Sequence, residues 1–221
     1  LVFINAYLQR SRPGYGATKS TEIMYQGKRV DIGAPWERLS MVESFRKHAK
    51  MDLTQALTRQ TIAPIAETKG YTVRDKDGWE ELFDQIFLNE VEPHLGRGKP
   101  TILYDYPFAL AALSQRKESD PRFSERFEFY IEGLELGDGY SELTDWKKQL
   151  ARFHLEHEER KRLGKVNHPI DMDFIEALKA GMPKSGGIAV GVDRLIILFS
   201  DTRDIADTLF FPAGELFETI R

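Results

Sequence analysis

Residues 126–145 read Arg126-Phe127-Glu128-Phe129-Tyr130-Ile131-Glu132-Gly133-Leu134-Glu135-Leu136-Gly137-Asp138-Gly139-Tyr140-Ser141-Glu142-Leu143-Thr144-Asp145. Apolar side chains alternate up to Ile131 and again from Leu134, so two strands meet at a Glu132-Gly133 hairpin turn. That register sets Ile131 against Leu134 and Phe129 against Leu136 on an apolar face. It sets Tyr130 against Glu135 on the other face, with Glu128 diagonal to Glu135. Two carboxylates on one sheet face repel unless a cation lies between them. The face is therefore either solvated or a Mg²⁺ site for a nucleotide, and the spacing leaves both open. Gly137-Asp138-Gly139 then interrupts the second strand, which predicts a bulge or the close approach of a ligand. Beyond it Asp138, Tyr140 and Glu142 share one face, and a one-residue bulge would turn that face to the side of Glu135. Two carboxylates and an aromatic ring suit an amine. An exposed edge strand would carry the same pattern.

Downstream, Thr144 or Asp145 caps a helix running to Leu163 and ended by Gly164, and Asp171 caps another to Ala180, closed by Gly181. Gly187 to Val192 is a Gly-interrupted strand leading into a core helix, Asp193 to Leu198. Its alternation places Gly187, Ala189 and Gly191 on one face and Ile188 and Val190 on the other, packed in the core. The run Gly186 to Arg194 fits neither the dinucleotide fingerprint nor the P-loop. It leaves glycines that let a flat ligand approach and Arg194 at a helix start, suited to a phosphate or to an ion pair with a neighbouring carboxylate.

Upstream, Glu22 to Ile32 reads as a hairpin with Gly27 in the turn, and Ser40 with Glu43 is a capping box opening a helix to about Lys50. Trp79 to Val91 has helical periodicity, Glu92 to Pro100 is a loop, and Thr101 to Tyr104 is a buried strand ended by Pro107. Antiparallel strands with helices laid on one side define an α+β fold.

With 221 residues, 41% apolar and 30% charged, the chain can bury one sizeable core as a single domain, 1–221. A net charge of -4 gives no global field for a nucleic acid backbone. The absence of cysteine excludes disulfides and thiolate metal sites. Without an apolar run long enough to span a bilayer, a soluble, cytoplasmic protein with no membrane partner is expected. His154 and His157 beside Glu158 have metal-ligand types, but the charged run around them reads as a solvated helix face.

Gly187-Ile188-Ala189-Val190-Gly191-Val192-Asp193-Arg194-Leu195 resembles motif 3 of class II aminoacyl-tRNA synthetases, where the Arg contacts ATP phosphates. Residues 126–130 with 135–145 are similar to the lysyl-tRNA synthetase stretch that carries ATP-metal and lysine ligands. Pro100 to Pro107 and Leu209-Phe210-Phe211-Pro212 extend the resemblance, which runs from about Gly27 onward; Leu1 to about Gly16 matches only weakly. The resemblance implies that the chain is the C-terminal portion of a class II synthetase-like catalytic domain that activates lysine or β-lysine as an adenylate. Glu128 and Glu135 are the implied metal ligands for Mg²⁺-ATP, Glu135 and Arg194 the implied catalytic groups, and Asp138, Tyr140, Glu142, Gly187, Ala189 and Gly191 the implied amino-acid site. The implied acceptor is tRNA or elongation factor P, and the full-length protein would be a homodimer. Asn167 to Asp171 and Ala189, where lysyl-tRNA synthetases usually have Gly, lean toward the elongation factor P lysine ligases. Asp138 stands where the synthetases typically have Asn. Motifs 1 and 2 are not found, so the isolated chain is expected to be nearly inactive, and a non-catalytic binding or accessory module is the alternative.

Overall fold

The computed structural model describes residues 21–111 and 113–216; the weakly matching front, Leu1 to Gly16, lies outside the described residues. The chain begins with a hairpin of β1 (Glu22–Tyr25) and β2 (Lys28–Asp31), Tyr25 opposite Lys28. Gln26 and Gly27 both take positive φ, 50° and 75°, the geometry a two-residue turn needs to match strand twist. A sheet of order β3-β4-β5-β6-β7 follows, built from Glu37–Ser40, Thr101–Pro107, Phe123–Ile131, Leu134–Ser141 and Gly186–Val190.

This sheet is mixed rather than antiparallel throughout, because β3 and β4 run parallel with Glu37 opposite Thr101. Parallel neighbours need a crossover, and the helices between these two strands supply it. The first, α1 (Met41–Ser44), opens on the expected capping box: Ser40 Oγ accepts from Glu43 N at 3.2 Å, and a Glu43 carboxylate oxygen accepts from Ser40 N at 2.9 Å. It continues as a π-helical turn, Phe45–Ala49, and stops at left-handed Lys50. The second, α2 (Arg59–Thr68), is capped by Thr58. It was not anticipated, because Pro64 lies inside it. The third, α3 (Trp79–Ile86), runs into a second π-helical turn, Phe87–Val91. Its aromatic stripe stacks in the core as expected, Phe83 lying 5.0 Å from both Phe45 and Trp79.

The described chain divides into two compact units. One takes in the residues up to Tyr104, Glu128–Asp138 and Ala189 onward; the other is Asp105–Phe127 with Gly139–Ile188. The first has a core in which the hairpin residues Ile23, Val30 and Ile32 pack with Phe129, Ile131, Leu136 and Leu198. The second carries α4 (Trp146–Arg162), capped by Asp145 and ended at left-handed Gly164, and α5 (Met172–Ala180), capped by Asp171. Phe153 and Phe174 pack between those two helices at 6.2 Å.

Strand β7 leads into α6 (Val192–Ser200), followed by a short helix, α7 (Ala213–Leu216). The expectation that Ile188 and Val190 pack in the core is overturned: they are 53% and 41% exposed. The physical reason is that β7 is the edge strand, exposed along its whole length among the described residues. The helix after it is likewise only partly a core helix, burying Ile197 and Leu198 while Val192 and Ile196 stay exposed.

Candidate functional site

In the first unit the carboxylates come from the hairpin of β5 and β6. Glu132 and Gly133 both adopt positive φ, 51° and 80°, as a two-residue turn requires, so β5 ends at Ile131 and β6 begins at Leu134, as alternation places them. Phe129, Ile131 and Leu136 are in the core, which commits Glu128, Tyr130 and Glu135 to the opposite face. That face is not a simple solvated surface. Glu128 is 7% exposed and Tyr130 1%, and the Tyr130 hydroxyl donates to a Glu128 carboxylate oxygen at 2.5 Å.

Glu135 is held differently. From the start of α6 the Arg194 guanidinium donates to the Glu135 carbonyl at 2.7 Å and lies 3.3 Å from its carboxylate. Half-exposed, this pair adds little to stability. It engages one Arg194 nitrogen, and a guanidinium carries five N–H donors, so capacity remains for a second anion. Of the two readings the sequence leaves open for Arg194, the ion pair is present, and it does not exclude the other.

A third carboxylate, unanticipated, joins this group. Glu92 sits in a 3₁₀ turn, Glu92–His94, after the second π-helical turn. Burial pushes its carboxyl above the usual range, the Glu135 charge adds to this, and Arg194 partly offsets it. Raised carboxyl groups beside a charged pair are a mark of functional sites. The sequence signal was weak because Glu92 opens a stretch rich in Gly and Pro that reads as a loop. Asp138, Ala189 and Gly191 belong to the same unit. Gly191 donates to the Leu136 carbonyl at 2.9 Å, which ties the end of β7 to β6.

The glycines around Asp138 have a more local reason than ligand approach. A Cβ at Gly137 would lie 2.4 Å from the Phe129 ring and 2.9 Å from the Ala189 carbonyl oxygen. One at Gly139 would meet the Phe127 ring at 2.7 Å and the Gly187 oxygen at 3.0 Å. Phenyl rings on β5 lie across the glycines of β6 and fill the space side chains would need.

In the second unit, Glu142 lies against Gly187, whose built Cβ would be 2.7 Å from a Glu142 carboxylate oxygen. Here glycine does make room, for the Glu142 carboxylate. Glu142 opens with Ser141 onto a cavity of about 390 Å³ also lined by Gln115, Glu118, Glu125, Lys184, Ser185 and Gly186. That volume falls within the range for small-ligand pockets. The Gln115, Glu118, Glu125 and Lys184 contributions were not foreseen, since they come from segments far apart in sequence. Tyr140 is half-buried near the end of β6, and Glu142 follows that strand's last residue, Ser141, in a bridge to Ser114. His154 is exposed on α4, with Glu158 paired to Lys161 and Glu159 to Arg162, as a solvated face implies.

Among the described residues no three His, Asp or Glu side chains gather as a protein-only metal cage. Mg²⁺ does not need one, because it is usually held by one or two carboxylates with water and substrate phosphates completing the shell. The hard oxygen donors Glu128 and Glu135 fit that requirement.

The profile of the class II tRNA synthetases (D, K and N) matches residues 14–215, so the resemblance begins earlier than Gly27. The chain belongs to this family. It is 36% identical over 207 residues to a lysine–tRNA ligase of Moorella thermoacetica, covering 94% of this chain and 41% of that protein. It is 39% identical over 186 residues to an elongation factor P–(R)-β-lysine ligase of Yersinia enterocolitica, covering 80% of this chain and 55% of that protein. The chain thus spans about half or less of the length of these curated relatives.

Proposed function

We propose that the chain forms a portion of a single ligase domain that activates lysine or β-lysine with ATP and passes the acyl group to tRNA or to elongation factor P. The Glu135–Arg194 arrangement carries this reading: a carboxylate on β6 paired with a guanidinium in the first turn of α6, the latter inside the stretch that resembles motif 3. Arg194 would bind a phosphate oxygen of ATP through its remaining donors. Glu128 and Glu135 would hold Mg²⁺, which offsets the charge of the phosphates when bound. A substrate carboxylate oxygen then attacks the α-phosphorus, the bond to the bridging oxygen breaks, and pyrophosphate leaves with that electron pair. The acceptor's nucleophile next attacks the acyl carbon and AMP departs. No side chain needs to become covalently attached, so the protein's part is positioning and charge neutralisation.

In the second unit Glu142 would take the cationic amine beside Gly187 and Tyr140 would offer its ring; Asp138, Ala189 and Gly191 of the first unit are the other positions the resemblance implies for the amino acid. The rest of the reading is a cytoplasmic homodimer of the full-length protein. Among the described residues no helix is long and apolar enough to cross a membrane. Calorimetric titration of the protein with Mg²⁺-ATP tests the nucleotide assignment. Arg194→Ala should weaken binding by tenfold or more with the circular dichroism spectrum unchanged. Equal affinity in the two proteins rejects it.

A further inference from the structure

The cavity of the second unit is framed by backbone hydrogen bonds. Gln115 N donates to the Ser141 carbonyl at 2.7 Å and Leu143 N to the Leu113 carbonyl, which pairs Ser114 with Glu142 and sets Gln115 opposite Ser141. On the other side of this segment, Glu125 N donates to the Gln115 carbonyl at 2.9 Å and Lys117 N to the Phe123 carbonyl, which sets Gln115 opposite Glu125. Residues directly opposite one another in antiparallel pairing share a face. Glu125, Gln115 and Ser141 therefore form one row across three backbones, and all three line the cavity. Glu142, next to Ser141, donates its N–H to the Ser185 carbonyl at 2.9 Å, which fixes the chain carrying Lys184 beside it. The frame is set before any ligand arrives, and this limits the ordering cost of binding.

Charges of both signs face this space: the carboxylates of Glu118, Glu125 and Glu142, and the ammonium of Lys184. None of these four side chains makes a hydrogen bond or an ion pair with any of the described residues. Lys184 thus shares a cavity with the carboxylates and pairs with none of them. Glu125 and Glu142 are half-buried, so their charges are partly desolvated without compensation. Two strand spacings, about 10 Å in all, separate the Glu125 backbone from that of Ser141, so the two carboxylates enter from opposite sides of Gln115. An acidic lining alone would accept any cation. Adding Lys184 makes the complement a ligand with two ammonium groups and one carboxylate, since affinity and selectivity both favour the inverse charge pattern.

We propose that Glu125 and Lys184 are specificity-determining residues of this cavity, Glu125 taking the second amine and Lys184 the carboxylate of a diamino acid whose first amine goes to Glu142. The assignment rests on the reading that Glu142 binds an amine. The protein is titrated by calorimetry with lysine, 1,5-diaminopentane and 1-aminopentane. It should bind the diamine about tenfold or more tightly than the monoamine, and Glu125→Gln should abolish that advantage. Lys184→Met should lower the ratio of lysine affinity to diamine affinity about tenfold, because only lysine carries the carboxylate. Both substitutions should leave the melting temperature without ligand unchanged. Glu142→Gln separates the two readings: if it alters no affinity while Glu125→Gln and Lys184→Met act as stated, the amine assignment of Glu142 fails and those of Glu125 and Lys184 stand. A diamine advantage that survives Glu125→Gln, a ratio unchanged by Lys184→Met, or no measurable binding of lysine and the diamine by the unsubstituted protein overturns the proposal.

Discussion

Replacing Gly137 by Ala sets a methyl carbon 2.4 Å from the Phe129 ring and 2.9 Å from the Ala189 carbonyl oxygen. The ring is part of the core and the oxygen is backbone, so neither can retreat freely. Overpacking of this kind costs about 1–3 kcal/mol, and chemical denaturation of Gly137→Ala should show a loss in that range. A smaller loss would mean that Phe129 swings aside. At Glu142 the prediction concerns ligand choice. The side chain lies over Gly187 and opens onto the cavity, so Glu142→Gln in the complete protein should reduce discrimination of lysine against norleucine by about 2–5 kcal/mol. An unchanged preference in the exchange of ATP with pyrophosphate removes Glu142 from the amine site. Ala189 presents one methyl group, which can separate similar ligands by only about 1–3 kcal/mol. In the complete protein Ala189→Gly should raise activation of α-lysine relative to β-lysine. A constant ratio would make Ala189 ordinary strand packing.

At the scale of elements, the capping box at Ser40 shows what local sequence can specify. Both reciprocal bonds to Glu43 are present, so Ser40→Ala should cost about 1 kcal/mol in thermal or urea unfolding. The caps at Asp145 and Asp171, the turn at Glu132-Gly133 and the aromatic stripe of α3 were legible for the same reason: each is set by residues within one or two turns of chain. What was not legible depends on distant partners. Parallel pairing of β3 with β4 depends on how a long helical crossover packs, and Ile188 and Val190 alternate like core residues although β7 is an edge. The glycines of Gly137-Asp138-Gly139 suggest a bulge or a ligand, whereas the groups that crowd them are Phe129 and Phe127 of the neighbouring strand. In the candidate site, Glu128, Glu135 and Glu142 could be read from strand alternation, whereas Glu92 and the cavity residues Gln115, Glu118, Glu125 and Lys184 could not. Their roles arise only when separate segments meet.

For the whole molecule, the response to acid follows from groups whose carboxyls or rings are held away from their ordinary values. Ser40 holds Glu43 low by hydrogen bonding, and the Lys148 amide does the same for Asp145. Burial alone would raise Glu37, but hydrogen bonds from Lys47 and Thr101 outweigh it. A carboxyl lowered by folding gives stability that is lost as pH falls through its folded value. Asp84 and Glu92 act in the opposite sense, because burial raises them and the folded state binds their protons more tightly. His48 contributes at higher pH. Its ring stacks on His94 at 4.7 Å, and burial, then His94, then Lys47 and Lys50 disfavour its protonation, with Glu37 opposing. Its folded pKa therefore lies below the ordinary 6.5, so the unfolded chain takes up this proton first and stability is lost as pH falls from that value. Comparison with His48→Gln isolates this contribution from Asp84 and Glu92, which titrate in both proteins. The urea midpoint of the wild type minus that of the variant should shrink steadily from pH 7 to pH 5, on the order of the histidine titration range. A difference that stays constant over that interval would show that the stacked pair carries no titration-linked stability, and would leave the acid response to the carboxylates alone.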